Sequence, residues 1–148
     1  MSILTQSGVI QDYVSSKTGK LGGKSAAERR DVLRWMFFDN HKVSGVAGPL
    51  RFNMNFLPED KRNADVNAFM AMRLGSALKV METHLDGRNW LTGDDITIAD
   101  IACAGYLFYE EPFTFDRADY PNINRWLEQI AAQPGWKHPY DLMPRALG

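Results

Sequence analysis

The sequence contains a single cysteine, Cys103, and three histidines in 148 residues. A lone thiol excludes an internal disulfide framework, and its apolar surroundings point to a reduced, cytoplasmic setting. His41, His84 and His138 share no ligand-type spacing, so no metal centre is expected. Charge of one sign is lacking too: 17 Lys and Arg stand against 18 Asp and Glu, a formal net charge of −1. Nucleic acids and anionic membrane surfaces both require a basic field, so neither is expected as a partner. No stretch reaches the roughly 18 apolar residues that would suggest a bilayer span. Residues 1–10 lack the cationic segment and apolar core of a secretion signal. Repeats, low-complexity tracts and paired alternating runs are missing as well, and with them any sign of a β-sheet.

What is present is helical periodicity. Hydrophobic residues make up 45% and charged residues 24% of the chain, ordinary globular usage. A chain of this length buries about 70% of its unfolded surface without staples. A first helix is expected from Ser7, with Ser7 as its cap and Val9, Ile10, Tyr13 and Val14 on one face. After a glycine-rich loop, a second begins near Ser25, with Glu28 at capping-box spacing. It places Val32, Trp35, Met36 and Val43 on one side and is ended or kinked by Gly45, Gly48 and Pro49. Residues 51–60 read as a connector. The third helix repeats Val66, Phe69, Met70, Leu74, Ala77, Leu78, Met81 and Leu85 at three and four residues, and Asp86-Gly87 stops it. The fourth, from Ile98 to Tyr109, carries only Asp100 as a charge and belongs inside a bundle. The fifth runs from about Pro121 to Gln133. Glu110-Glu111-Pro112 reads as a solvated helix end, and residues 136–148 as an irregular tail with at most a short helix. The expected class is therefore all-α, a bundle of five to six helices.

The most specific local signal is Gly93-Asp94-Asp95-Ile96-Thr97-Ile98-Ala99-Asp100. Thr97 and Asp100 have the spacing of reciprocal caps at the start of a helix, and Ile96 and Ile101 flank them as a hydrophobic staple. Unmet amides at the start of an interior helix cost free energy, which explains the motif without a catalytic role for Asp100.

Residues 90–101, WLTGDDITIADI, resemble the capped central helix of the C-terminal domain of cytosolic glutathione transferases. Residues 120–136, YPNINRWLEQIAAQPGW, are similar to the helix that follows it. Residues 26–40, AAERRDVLRWMFFDN, resemble the first helix of that domain. Residues 3–14, ILTQSGVIQDYV, resemble the end of the preceding thioredoxin-like domain. The resemblance thus divides the chain into residues 1–20, a remnant of the thioredoxin-like domain comprising the end of its last strand and its last helix, and residues 21–148, the helical domain.

The resemblance implies that a thioredoxin-like half holds glutathione and activates its thiol, while the helical half supplies an apolar pocket for the electrophile. The activating residue is expected to lie outside this sequence, so no catalytic residue is assigned and the chain alone is expected to be inactive. Glutathione would be a co-substrate only with the other half present; no other cofactor is implied. Gln6 and Ser7 match the family pair that binds the γ-glutamyl carboxylate, although a plain helix cap is the better-supported explanation of Ser7. Trp35, Phe38, His41, Tyr106 and Tyr109 match the electrophile pocket; ordinary core packing is the competing explanation, strongest for Trp35. Cys103, with no cation nearby in sequence, reads as a structural thiol. Three functions remain open: part of a glutathione transferase, a non-catalytic assembly module, or a carrier of small apolar ligands. An apolar face left by a missing half would favour a homodimer or a thioredoxin-like partner.

Overall fold

The computed structural model describes residues 3–143. Seven α-helices follow one another: α1 (Ser7–Thr18), α2 (Ala26–Lys42), α3 (Ser44–Asn55), α4 (Ala64–His84), α5 (Ile98–Ala104), α6 (Pro121–Ala131) and α7 (Pro139–Leu142). Among the described residues there is no strand, and no helix is long and apolar enough to cross a membrane. The class is all-α, a bundle with α5 at its centre against α1, α2 and α6, and with α3 packed on α4.

The core follows the predicted stripes. Val32, Trp35 and Met36 of α2 meet Leu74, Ala77, Leu78 and Met81 of α4, and Ile98, Ala99 and Cys103 of α5 lie in the same buried cluster. The ends of the helices are tied by side chains from their neighbours. Glu82 of α4 accepts from the amides of Asn122 and Ile123, each at 2.9 Å, which satisfies the start of α6. Arg125 of α6 returns the favour, donating to the carbonyls of Leu85 and Arg88 at 2.8 and 2.9 Å beyond α4. These bonds meet terminal groups that no helix can satisfy for itself.

Asp100 organises the centre. Its Oδ2 accepts from the Thr97 amide at 2.8 Å and the Thr97 hydroxyl at 3.1 Å. Its Oδ1 accepts from the Leu91 amide and the Trp126 indole, both at 2.9 Å. One carboxylate therefore joins the loop before α5, the start of α5 and the middle of α6. Burial pushes the Asp100 carboxyl above its ordinary value, and these four donors oppose that rise.

Several expectations are revised. The segment taken as a connector is helical as far as Asn55, because Pro49 and the two glycines sit inside α3 rather than ending α2. Val43 leaves helical geometry at ψ −80°, and α3 begins at the next residue. The turn is tight enough that a Cβ on Gly45 would lie 2.2 Å from the Asn40 carbonyl, so glycine here permits close approach. Val66 and Phe69, counted on the buried stripe of α4, are exposed; they lie in its first two turns, beyond the core. The fourth helix stays α only to Ala104 and tightens into a 3₁₀ turn over Gly105–Phe108, and Ile101 on it is exposed. Glu111 is buried rather than solvated. The tail forms the four-residue α7; residues 144–148 lie outside the described residues, as do residues 1 and 2, and residues 3–5 form no strand.

Candidate functional site

The N-terminus of α1 is unlike the others. Ser7 is its first helical residue and not its cap; the cap position belongs to Gln6, which makes no capping side-chain bond. The first helical bond runs from the Ile10 amide to the Gln6 carbonyl at 3.1 Å. The helix itself therefore offers no acceptor to the amides of Ser7, Gly8 and Val9. Gln6 holds φ 68° and ψ 118°, a left-handed conformation that a residue with a Cβ rarely adopts. Strain of this kind collects at sites that bind.

These residues open on a cleft of about 550 Å³ between α1 and α2. Its α1 side consists of Gln6, Ser7, Gly8, Val9 and Asp12; its α2 side of Leu33, Met36, Phe37, Asp39 and Asn40, with Ala102 of α5 behind. An ion pair between Asp12 and Arg29 fastens α1 to α2. Asp39 is 8% exposed. Its Oδ1 accepts from the Ser44 amide at 3.2 Å and the Ser44 hydroxyl at 2.7 Å, at the start of α3. Burial pushes its carboxyl up to about 6, and the Ser44 hydrogen bonds only partly oppose this.

The five aromatic and histidine candidates do not form one pocket. Trp35 is 1% exposed, lies 5.1 Å edge-on to Phe38 and meets the His84 ring at 4.7 Å, tilted by 53°. His41 is exposed in the last turn of α2. Tyr106 and Tyr109 pair with each other at 5.8 Å. Tyr106 lies against Gly48, where a Cβ would come within 2.8 Å of its hydroxyl oxygen. Tyr109 is covered by Arg51, whose guanidinium stands 3.9 Å over its ring, and by the Tyr140 ring at 5.2 Å. Arg51 also donates to Glu111 Oε2 at 2.8 and 3.0 Å, and Tyr140 hydrogen-bonds with both Arg51 and Glu111. Burial would raise the Glu111 carboxyl, yet the bonds from Tyr140 and Arg51 hold it below its ordinary value. Cys103 is fully buried, burial pushes its thiol well up, and its sulfur faces the Trp35 carbonyl at 3.7 Å. It lacks the thiolate character that reactivity requires. Among the described residues no cluster of His, Cys, Asp or Glu could hold a metal.

Residues 55–134 match the model of the glutathione S-transferase C-terminal domain. The chain belongs to the glutathione S-transferase family. It is 30% identical over 128 residues to glutathione S-transferase psoE of Aspergillus fumigatus, covering 82% of this chain and 53% of that protein. A crystal structure of a glutathione S-transferase from Xanthobacter autotrophicus superposes with a TM-score of 0.84 at 31% identity, over 92% of this chain and 66% of that one. The glutathione transferase of Burkholderia graminis, solved with two glutathione molecules bound per subunit, gives a TM-score of 0.80 at 31% identity, over 88% and 57%. The chain thus spans between about half and two thirds of the length of these transferases.

Two features escaped the sequence reading. The Arg51–Glu111–Tyr140 group joins residues up to 89 positions apart, and no local pattern announces it. Asp39 did leave a signal: it follows Trp35 by four residues and precedes Val43 by four, an acid on the apolar stripe.

Proposed function

We propose that this chain is the helical side of a glutathione-dependent site, and that the cleft at the start of α1 receives the γ-glutamyl carboxylate of glutathione. The observation that carries this is the α1 N-terminus, with an uncapped set of amides and a strained Gln6 lining one cleft together with Ser7. Such a helix end favours an anion through both its amides and its dipole. The thiol chemistry, conjugation to an apolar electrophile or thiol exchange, would come from a thioredoxin-like half, in the same protein or in another. That half has a surface to meet: Val9, Ile10, Tyr13 and Val14 of α1 are 43–52% exposed, while the helix is held to the bundle by Asp12 and Ser15 on its other side.

The test is reconstitution. The chain alone is expected to show no conjugation of an aryl electrophile. Mixed with the separately expressed thioredoxin-like half of the Xanthobacter transferase, it is expected to restore activity in proportion to complex formation. Full activity from the chain by itself, or complex formation with no activity at any concentration, contradicts this reading.

A second reading, an assembly module, draws on a different surface. Phe52 and Phe56 of α3 and its edge, stacked at 6.2 Å, and Phe69 and Met72 of α4 are 41–61% exposed. Exposed apolar side chains on two adjacent helices favour contact with a second copy of the chain. Sedimentation showing a monomer at high concentration counts against it.

A further inference from the structure

Residues 136–143 form a strap over Tyr109. Trp136 anchors its near end, with its ring 5.0 Å from that of Phe108. Beyond that point burial holds little, because α7 contains no buried residue. Two side chains fasten it instead. Tyr140 hydrogen-bonds with Arg51 and Glu111 and lays its ring 5.2 Å from that of Tyr109. His138, the cap residue of α7, is the second fastener. Its Nε2 lies 2.9 Å from the Phe108 carbonyl, and its Nδ1 lies 3.2 Å from the Tyr140 amide. Both partners are backbone groups with a fixed role. The amide can only donate, so Nδ1 must accept; the carbonyl can only accept, so Nε2 must carry the hydrogen. The two bonds thus define one tautomer of the neutral ring. An imidazolium donates from both nitrogens and cannot make them both.

We propose that His138 is a proton-operated latch on this strap: a proton on Nδ1 displaces the Tyr140 amide and loosens α7 from the face of Tyr109. Once the strap is open, the ring takes up a proton without losing a bond, so acid favours the open form. The charged groups nearby do not fix its charge. Glu110 and Arg117 line the same hollow as His138, Lys137 and Asp141 flank it on its own segment, and Glu111 and Arg51 reach it through Tyr140. Among the described residues His138 takes part in no ion pair. The second fastener outlasts the first as pH falls, because the bonds from Tyr140 and Arg51 hold the Glu111 carboxyl below its ordinary value. A proton on His138 therefore makes the strap open more often without detaching it. The latch works whatever the α1–α2 cleft binds, and it controls how often the covered faces of Tyr109 and Arg51 meet solvent.

Nuclear magnetic resonance of the ¹⁵N-labelled full chain tests this from about pH 8 to about pH 5, the span in which imidazoles titrate. At the upper end, long-range correlations in the His138 ring are expected to place the hydrogen on Nε2. As the ring titrates, the exchange protection factors of the Tyr140, Asp141 and Met143 amides should fall about five- to tenfold, the value of one hydrogen bond, while those of α4 and α6 hold. Asparagine is a preferred cap, and its side-chain oxygen accepts from an amide at any pH in this span. In His138→Asn the protection of α7 should therefore be flat. The native measurements stand even where the variant folds poorly. A hydrogen on Nδ1 at the upper end overturns the latch, and so does a ring that titrates while α7 keeps its protection. A ring that stays neutral throughout overturns it as well. A His138→Asn protein that loses protection as the native one does assigns the effect to another group and overturns it too.

Discussion

Replacing Asp100 by alanine should remove a large part of the stability of the bundle. The carboxylate accepts from the Leu91 amide, the Thr97 amide and the Trp126 indole at 2.8–2.9 Å, and from the Thr97 hydroxyl at 3.1 Å. The hydroxyl keeps a second partner in Thr92 at 3.1 Å, so three donors lose the acceptor seen here, with Leu91, Thr97 and Trp126 all 2% exposed or less. Each buried orphan costs about 1–3 kcal/mol. Relief from burying a charge offsets part of this, because burial already pushes the Asp100 carboxyl upward. The net loss is about 3–5 kcal/mol, against a total of about 5–15 for a domain. Asp100→Asn keeps one acceptor oxygen but turns an NH₂ toward donors, and should lose about 2–3 kcal/mol. Urea unfolding followed by circular dichroism measures both, and pairing Asp100→Asn with Trp126→Phe in a double-mutant cycle isolates the indole bond. An Asp100→Ala protein within 1 kcal/mol of the native one would refute the reasoning.

Further predictions follow from the same geometry. Asp39, raised in the folded state from 3.8 to about 6, binds more protons folded than unfolded between those values, so stability should fall as pH rises through that window, by up to about 3 kcal/mol. Asp39→Asn should flatten that dependence, which urea midpoints at pH 4 and 7 would reveal. Glu111, held below its ordinary value, behaves oppositely: its contribution is present above the unfolded carboxylate pKa and is lost as pH falls through the lower folded one. Hydrogen exchange should accordingly show α7 losing protection in acid before α4 and α6 do, and Tyr140→Phe should move that loss to higher pH. Val14→Ser on the exposed face of α1 should change the chain's own stability by less than about 0.5 kcal/mol, yet weaken docking of a thioredoxin-like half in a pull-down titration.

The parts of the fold legible in the sequence are those fixed by local rules. The α4 and α6 stripes, the Asp86-Gly87 stop and the Pro121 start depend on neighbours within a few residues. α3 was missed because Gly45, Gly48 and Pro49 are breakers by propensity. The bundle overrides them: Gly48 makes room for Tyr106, and the helix runs on through Pro49 in its interior to Asn55. The cleft was half legible. Gln6 and Ser7 could be nominated from their resemblance to a family pair, but that Asp39 lines the same cleft depends on how α1 packs against α2. Trp35 and Phe38, and separately Tyr106 and Tyr109, are helical neighbours that pair as spacing suggests. The cover that Arg51 and Tyr140 place over Tyr109 is a tertiary fact.

In the proposed function the start of α1 is the anion-binding end of a glutathione site. Titrating the ¹⁵N-labelled chain with glutathione tests it most directly. The amide resonances of Ser7, Gly8 and Val9 should shift together and saturate, while the decarboxy analogue, in which hydrogen replaces the α-carboxylate, leaves them in place. Saturable shifts confined to other helices, or no shift at these three amides at millimolar glutathione, would contradict it.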